Sequence, residues 1–310
     1  MKYVKNAKKF MLLSIVILIA GIVAGIWQGG LNLGIDFTGG SIITMNMAQP
    51  FEAQVVEQAL RDAGESGFTV LKTSAGDSEE QTYAQLRLRP RASEEEDRVQ
   101  RETVLQKVQE HYANASIEDV ERVGAIASAD LIKNAVLSLL IAGALILIYI
   151  SFRFRFHSAL AAVICLLHDV CIMLAVVCII RMEINSSFIA AVLTIVGYSI
   201  NNTIVVFDRI RDNQKLMADR SMEEIVDTST SQTLRRSLFT ALTTLLTITT
   251  LYILGSDAVR DFALPIIVGL LAGTYSSLFL ASPIWCMMDA RKERTGASAT
   301  DSKKKTAKKA

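Results

Sequence analysis

Residues 10–27 read FMLLSIVILIAGIVAGIW, an uncharged apolar run directly behind Lys2, Lys5, Lys8 and Lys9. About 20 residues rising ~1.5 Å each cross the roughly 30 Å hydrocarbon layer of a bilayer, so this run reads as a membrane span. A secretory signal starts with similar chemistry, but its apolar stretch is shorter and ends in a small-x-small cleavage site. The run here is longer and lacks such a site, which predicts a retained helix. Five further apolar runs follow at about 131–150, 158–180, 187–207, 238–254 and 262–288. The expected fold is therefore an all-α transmembrane bundle of six helices, interrupted once by a large polar insertion.

Composition supports that division. Of 310 residues 51% are hydrophobic and 20% charged, and the two kinds are segregated along the chain. A net charge of +1 hides the asymmetry, because residues 30–128 carry 17 acidic against 9 basic side chains. The basic residues gather at the edges of the apolar runs. They are the N-terminal lysines, Arg153 and Arg155, then Arg209, Arg211, Lys215, Arg220, Arg235 and Arg236 in a loop expected at 208–236. The tail adds Arg291, Lys292, Arg294, Lys303, Lys304 and Lys305. All fall on one side of a six-span topology, opposite the acidic insertion and the short loops near 181–186 and 255–261. The positive-inside tendency places that side, and both chain ends, in the cytoplasm. Basic residues confined to membrane edges also speak against a nucleic-acid surface.

The domain boundaries follow: 1–29 for the N-terminus and first span, 30–128 for the extracytoplasmic domain, 129–290 for the remaining spans, and 291–310 for a basic, low-complexity tail. Within the insertion, 41–47 reads as a strand and 51–63 as an amphipathic helix, with Pro50 suited to a first turn. Strands are predicted at 68–74 and 81–89, the latter alternating through Tyr83, Leu86 and Leu88. Ser93 with Glu96 makes a capping-box signature for a helix to about Tyr112, and 117–123 closes the sheet. The order β-α-β-β-α-β is that of a ferredoxin-like α+β domain. Cys165, Cys171, Cys178 and Cys286 all lie in apolar runs. No disulfide framework, metal-ligand spacing, nucleophile–base set or phosphate loop is visible, so neither an enzyme nor a cofactor is expected.

Polar residues inside the spans are the functional candidates, since each is costly there. Asn201 and Asn202 close the fourth apolar run. Arg236, Thr240, Thr243, Thr244 and Thr247 paint one stripe down the fifth. Asn202 and Arg236 fall near the same end, which fits a hydrated ion path, while the threonines fit interhelical hydrogen bonding equally well. His168-Asp169 lies midway along the third run. It reads either as a structural element, a self-satisfied pair or a lid on a neighbouring backbone, or, with Asp169 the one acid placed deep in the membrane, as a proton carrier. Gly269, Gly273 and Ser277, four residues apart, permit close helix packing.

Several blocks resemble a known family. Gly34-Ile35-Asp36-Phe37-Thr38-Gly39-Gly40 is similar to the G-[LI]-D-F-x-G-G signature of the SecD/SecF family. The stretch from Gly197 through Tyr198, Ser199, Ile200, Asn201, Asn202 and Thr203 to Asp208, Arg209, Ile210, Arg211, Asp212 and Asn213 resembles the block G-Y-S-x-N-D-T-I-V-V-F-D-R-I-R-E-N. Leu167-His168-Asp169-Val170 and Ser231-Gln232-Thr233-Leu234-Arg235-Arg236-Ser237 match its third and fifth helices. The resemblance implies half of a resistance-nodulation-division type bundle in the bacterial cytoplasmic (inner) membrane. It also implies pairing with SecD, with the SecYEG translocon, YajC, YidC and a translocating preprotein as further partners. The work implied is ion-gradient-assisted protein export, with Gly34, Asp36, Gly39 and Gly40 near a hinge. Asn202 stands where the family block has Asp, and an amide cannot carry a proton. Residues 123–131 also lack the Pro and second Gly of the family pattern V-G-P-x-x-G-x-E/D-L. Two other readings stay open: a non-conducting scaffold for SecD, and a small-molecule or lipid exporter of the same superfamily, which usually joins two six-helix halves in one chain.

Overall fold

A computed structural model describes residues 2–73, 82–91, 93–154, 156–255 and 257–289. The tail 291–310, Arg155, and the predicted strand ends Ser74 and Gln81 lie outside the described residues. The chain forms two compact units, one of residues up to Asn32 with those from Leu137 onward, the other Leu33–Val136.

The first membrane helix, α1 (Tyr3–Trp27), starts seven residues before the apolar run. Its buried positions Tyr3, Ala7, Ser14 and Gly21 form one stripe at spacings of four and seven, so the lysines lie on helical turns that continue the span.

In the soluble unit a four-residue turn, α2 (Ile35–Thr38), leads into β1 (Gly40–Asn46). Then come α3 (Ala53–Asp62), β2 (Thr69–Thr73), β3 (Tyr83–Leu88), α4 (Glu94–Gln109) and β4 (Ser116–Val123). The strands pair antiparallel in the order β2-β3-β1-β4. Strand alternation puts Ile43 and Met45 of β1 on the same face as Ala84, Leu86 and Leu88 of β3, where they bury against Val56, Ala59 and Leu60 of α3 and Val104 and Val108 of α4. The β1–β4 register shifts between Thr44 and Met45. Ser93 caps α4, accepting the Glu96 N–H at 3.2 Å. Two boundaries differ from the sequence reading. Pro50 lies ahead of α3, whose N-cap is Glu52, and α4 ends at Gln109, short of Tyr112.

Five more helices follow: α5 (Ala125–Arg153), α6 (Phe156–Ile179), α7 (Ser186–Leu216), α8 (Met222–Leu254) and α9 (Asp257–Ser276). A π turn, Ser277–Ala281, carries α9 on, so that its span covers Val259–Asp289. With α1 these give six helices long and apolar enough to cross a membrane. The 208–236 connection is thereby corrected. It is not a long loop: α7 and α8 both extend past their apolar parts and leave only 217–221 between them. The extension is amphipathic. Ile225, Val226, Ser229, Thr230 and Thr233 are buried, and Ser221 caps α8 by accepting the Glu224 N–H at 3.3 Å.

Burial ranks the helices. The apolar windows of α6, α7 and α9 are 50%, 44% and 67% buried, against 11% for α1 and 6% for α5 and α8. A central trio is thus flanked by three helices with open faces. Gly269 lets α9 reach that centre, since a Cβ there would meet Ile195 Cγ1 and Met173 Sδ, at 2.5 and 2.8 Å. Gly269→Leu is expected to destabilise the bundle by about 3 kcal/mol through overpacking. Gly143→Leu, facing open space on α5, should cost less than about 0.5 kcal/mol. Thermal unfolding of both variants in detergent checks this; equal melting points would contradict the close approach.

Candidate functional site

The inward stripe of α6 runs Ala162, Cys165, Leu166, Asp169, Ile172 and Met173. A helix that buries this stripe must bury Asp169, and its side chain is fully enclosed. The stripe of α7 carries Ile195, Val196, Ser199, Asn202 and Thr203 inward. On α9, Gly273 leaves room beneath Ser199, where an added Cβ would lie 3.0 Å from Ser199 Cβ and 3.5 Å from Asp169 Oδ2.

These stripes bring a polar cluster together in the middle of the bundle. Asp169 Oδ2 accepts from Ser199 Oγ at 2.5 Å and from Ser276 Oγ at 2.9 Å. Asp169 Oδ1 lies 3.0 Å from His168 Nδ1, and His168 Nε2 lies 2.7 Å from Ser14 Oγ of α1. When Nδ1–H donates to the carboxylate, Nε2 is left to accept from Ser14. Tyr275 stacks beside the His168 ring, with centroids 6.4 Å apart, and donates to the Phe10 carbonyl at 2.7 Å. Four helices therefore meet at the His168–Asp169 pair, next to the π turn of α9. Such turns recur at functional sites because they free backbone groups.

The sequence candidates separate into two sets. Asp169 and Asn202 are interior, Asn202 only 3% exposed with its Nδ2 lacking a partner. Asn201, Arg236, Thr240 and Thr243 are exposed on this chain. The threonine stripe folds back on its own helix: Thr243 and Thr244 donate to the Thr240 carbonyl at 2.9 and 3.0 Å. The shared lining expected for Asn202 and Arg236 is not formed within this chain, since one is enclosed and the other open. The His168-Asp169 pair bonds to itself as one reading expected, and Ser14, Ser199 and Ser276 add to it. None of these serines stood out in the sequence as a site residue. The usable signal was positional: Ser14 is the one polar residue in the run 10–27, and Ser199 precedes Asn202 by three.

In the soluble unit, Gly39 and Gly40 have φ of 70° and 129°, which L side chains rarely adopt, and a Cβ on Gly40 would strike the Leu88 carbonyl. Gly34, at φ −71° and ψ 170°, needs no such freedom. Asp36 sits in the first turn of α2.

Residues 103–291 match the family described as protein export membrane protein SecD/SecF, C-terminal, and residues 25–50 match the SecD/SecF GG motif. The chain belongs to the SecD/SecF family of protein export membrane proteins. It is 37% identical over 260 residues to a protein translocase subunit SecF of Sebaldella termitidis, covering 84% of this chain and 82% of that one. To the SecF subunit of Acidaminococcus fermentans it is 37% identical over 283 residues, covering 91% and 95%. The crystal structure of SecDF, a translocon-associated membrane protein from Thermus thermophilus, superposes with a TM-score of 0.80 at 32% identity. That match covers 94% of this chain and 39% of SecDF, so the chain spans about two fifths of that protein.

Proposed function

We propose that this chain is the SecF-like half of an accessory complex of the Sec translocase, pairing with SecD and promoting preprotein export through SecYEG at the expense of an ion gradient. One observation carries the reading. The chain is matched along nearly its whole length by two fifths of a SecDF chain, whose name joins the two subunits. The bundle lies in the bacterial cytoplasmic membrane with both ends inside, a placement supported by the positive-inside bias of its basic edges. The soluble unit then lies outside as a ferredoxin-like domain, a class its strand order supports. Catalysis plays no part.

The ion-handling group is Asp169. Its two oxygens face hydroxyl donors and an imidazole, an arrangement suited to trading a proton. Moving one charge through 100 mV supplies roughly 2.3 kcal/mol, enough to bias a two-state packing of four helices that meet at the His168–Asp169 pair. Asn201, Arg236, Thr240 and Thr243, open on this chain, form the seam toward SecD. Gly269 and Gly273 hold α9 against the site, and Gly39 and Gly40 lead into β1 of the soluble unit.

Asn202 favours a second reading, a scaffold that steadies SecD without conducting ions. Substitution at Asn202 separates the positions. Asn202→Ala removes a buried donor that has no partner, which costs little, so export is expected to stay within about twofold of the parent. Asn202→Asp restores a carboxylate and is expected to raise export. A collapse of export on Asn202→Ala would show that the buried amide itself is needed and would contradict the assignment of ion handling to Asp169 alone.

A further inference from the structure

At the basic end of the bundle a cleft of about 410 Å³ opens, with Arg153, Ser158, Arg211, Gln214, Lys215 and Trp285 on its walls. That volume falls within the ~300–1,000 Å³ of small-ligand sites. Arg153 and Arg211 both reach Asp208 Oδ1, at 3.0 and 2.9 Å, and both guanidinium groups lie over the Phe154 ring, at 5.2 and 5.4 Å from its centroid. The shared carboxylate fixes the two arginines yet offsets only one of them. Lys215 adds a further positive charge and makes no ion pair among the described residues.

Neutral donors point the same way. Trp285 is 4% exposed, and its Nε1–H is buried with no acceptor. The Nε of Arg211 is likewise buried without one. An indole can only donate, so a wall combining this group with two guanidinium groups, an ammonium, a hydroxyl and an amide calls for a ligand rich in acceptors and negative charge. Guanidinium groups match phosphate oxygens in a bidentate manner.

Position identifies which phosphate. Arg153 is the last residue of α5, and α6 begins at Phe156. Phe152 and Phe156, each two residues from the Phe154 that lines the cleft, are 90% and 60% exposed, as aromatic residues are where a bundle meets the bilayer interface. Basic pockets between helices at that level suit anionic head groups. We propose that this cleft binds the phosphate of an anionic phospholipid head group, with the phosphate held by Arg153, Arg211, Lys215 and Trp285 Nε1–H. The ring of Phe154 then lies against the first carbons of the lipid. This site is separate from the Asp169 cluster and stands whether or not the chain conducts ions.

The chain contains its own reporter, because Trp27 and Trp285 are its only tryptophans. Trp27 is 88% exposed at the end of α1, so Trp27→Phe in the full chain leaves Trp285 as the sole indole fluorophore. Titrating phosphatidylglycerol into this variant in neutral detergent is expected to change Trp285 emission saturably, with no response to phosphatidylcholine or inorganic phosphate. Lys215→Gln and Arg211→Gln should each raise the half-saturating concentration about tenfold, the loss of one charge-assisted hydrogen bond. Arg211 also holds Asp208, so Lys215→Gln, at an exposed and unpaired position, gives the decisive comparison. Absence of a saturable response, or an unchanged half-point in Lys215→Gln, would overturn the site. An equal response to inorganic phosphate would overturn the lipid assignment in favour of a soluble anion.

Discussion

Asp169→Asn is expected to abolish gradient-stimulated export while leaving the chain folded and inserted. The amide has nearly the shape of the carboxylate, and its oxygen can still accept from Ser199 and Ser276, so the four-helix junction keeps most of its hydrogen bonds. Lost is the ability to exchange a proton. Asp169→Ala removes the acceptor as well and leaves the Ser199 and His168 donors facing a void, while Ser276 keeps only its longer contact to the Gly273 carbonyl at 3.3 Å. Each buried donor without a partner costs about 1–3 kcal/mol, so this variant should both fail in export and fall in amount. The contrast separates the two roles. A structural carboxylate predicts a tolerant Asn and a damaging Ala; an ion-handling one predicts that both lose export and only Ala loses protein. Mature exported protein, followed alongside the membrane level of each variant, checks it. Export at the parental rate in Asp169→Asn would return His168-Asp169 to a packing role.

Gly40→Val should have the second largest effect, in the soluble unit. Gly40 holds φ at 129°, and its missing Cβ is what keeps the backbone clear of the Leu88 carbonyl. A branched side chain adds strain of about 1–3 kcal/mol from the backbone alone. It also displaces the start of β1, which pairs with β3 on one side and β4 on the other. Against a stability of ~5–15 kcal/mol for a small domain, that is a large fraction. Exchange of the β1 amides with deuterium should accelerate by about two orders of magnitude for a 3 kcal/mol loss. Gly34→Ala, at φ −71°, should leave exchange near the parental rate. Parental protection in Gly40→Val would contradict the packing of the GG turn.

Long uncharged runs declare a membrane because the bilayer tests every residue in turn, and the six spans were legible for that reason. What hydropathy reads is the span, not the helix. Residues 222–237 and 208–216 are polar enough to look like a loop, yet they are helical because a narrow stripe, from Ile225 to Thr233 on α8, buries against neighbours. The sheet was legible from alternation in 81–89 and the Ser93–Glu96 cap, which are local signals. The site was legible only in part. Asp169 and Asn202 announced themselves by chemistry, since acids and amides are expensive in lipid. Ser14, Ser199 and Ser276 did not, because a serine in an apolar helix can satisfy itself on its own carbonyls. Only the packing of α1, α7 and α9 around α6 turns two of those hydroxyls, Ser199 and Ser276, toward one carboxylate and the third, Ser14, toward the imidazole beside it. The threonines of α8 show the reverse: a clear stripe in sequence that satisfies itself and faces out of the chain.

The central claim is that Asp169 passes protons as part of a SecD-paired bundle. The most direct test reconstitutes the chain with SecD in vesicles enclosing a pH-sensitive dye and applies a membrane potential. Parental vesicles are expected to acidify, and vesicles with Asp169→Asn, assembled with SecD to the same extent, to stay flat. Equal proton flux in both, or none in either, would contradict the claim and leave the chain as a scaffold.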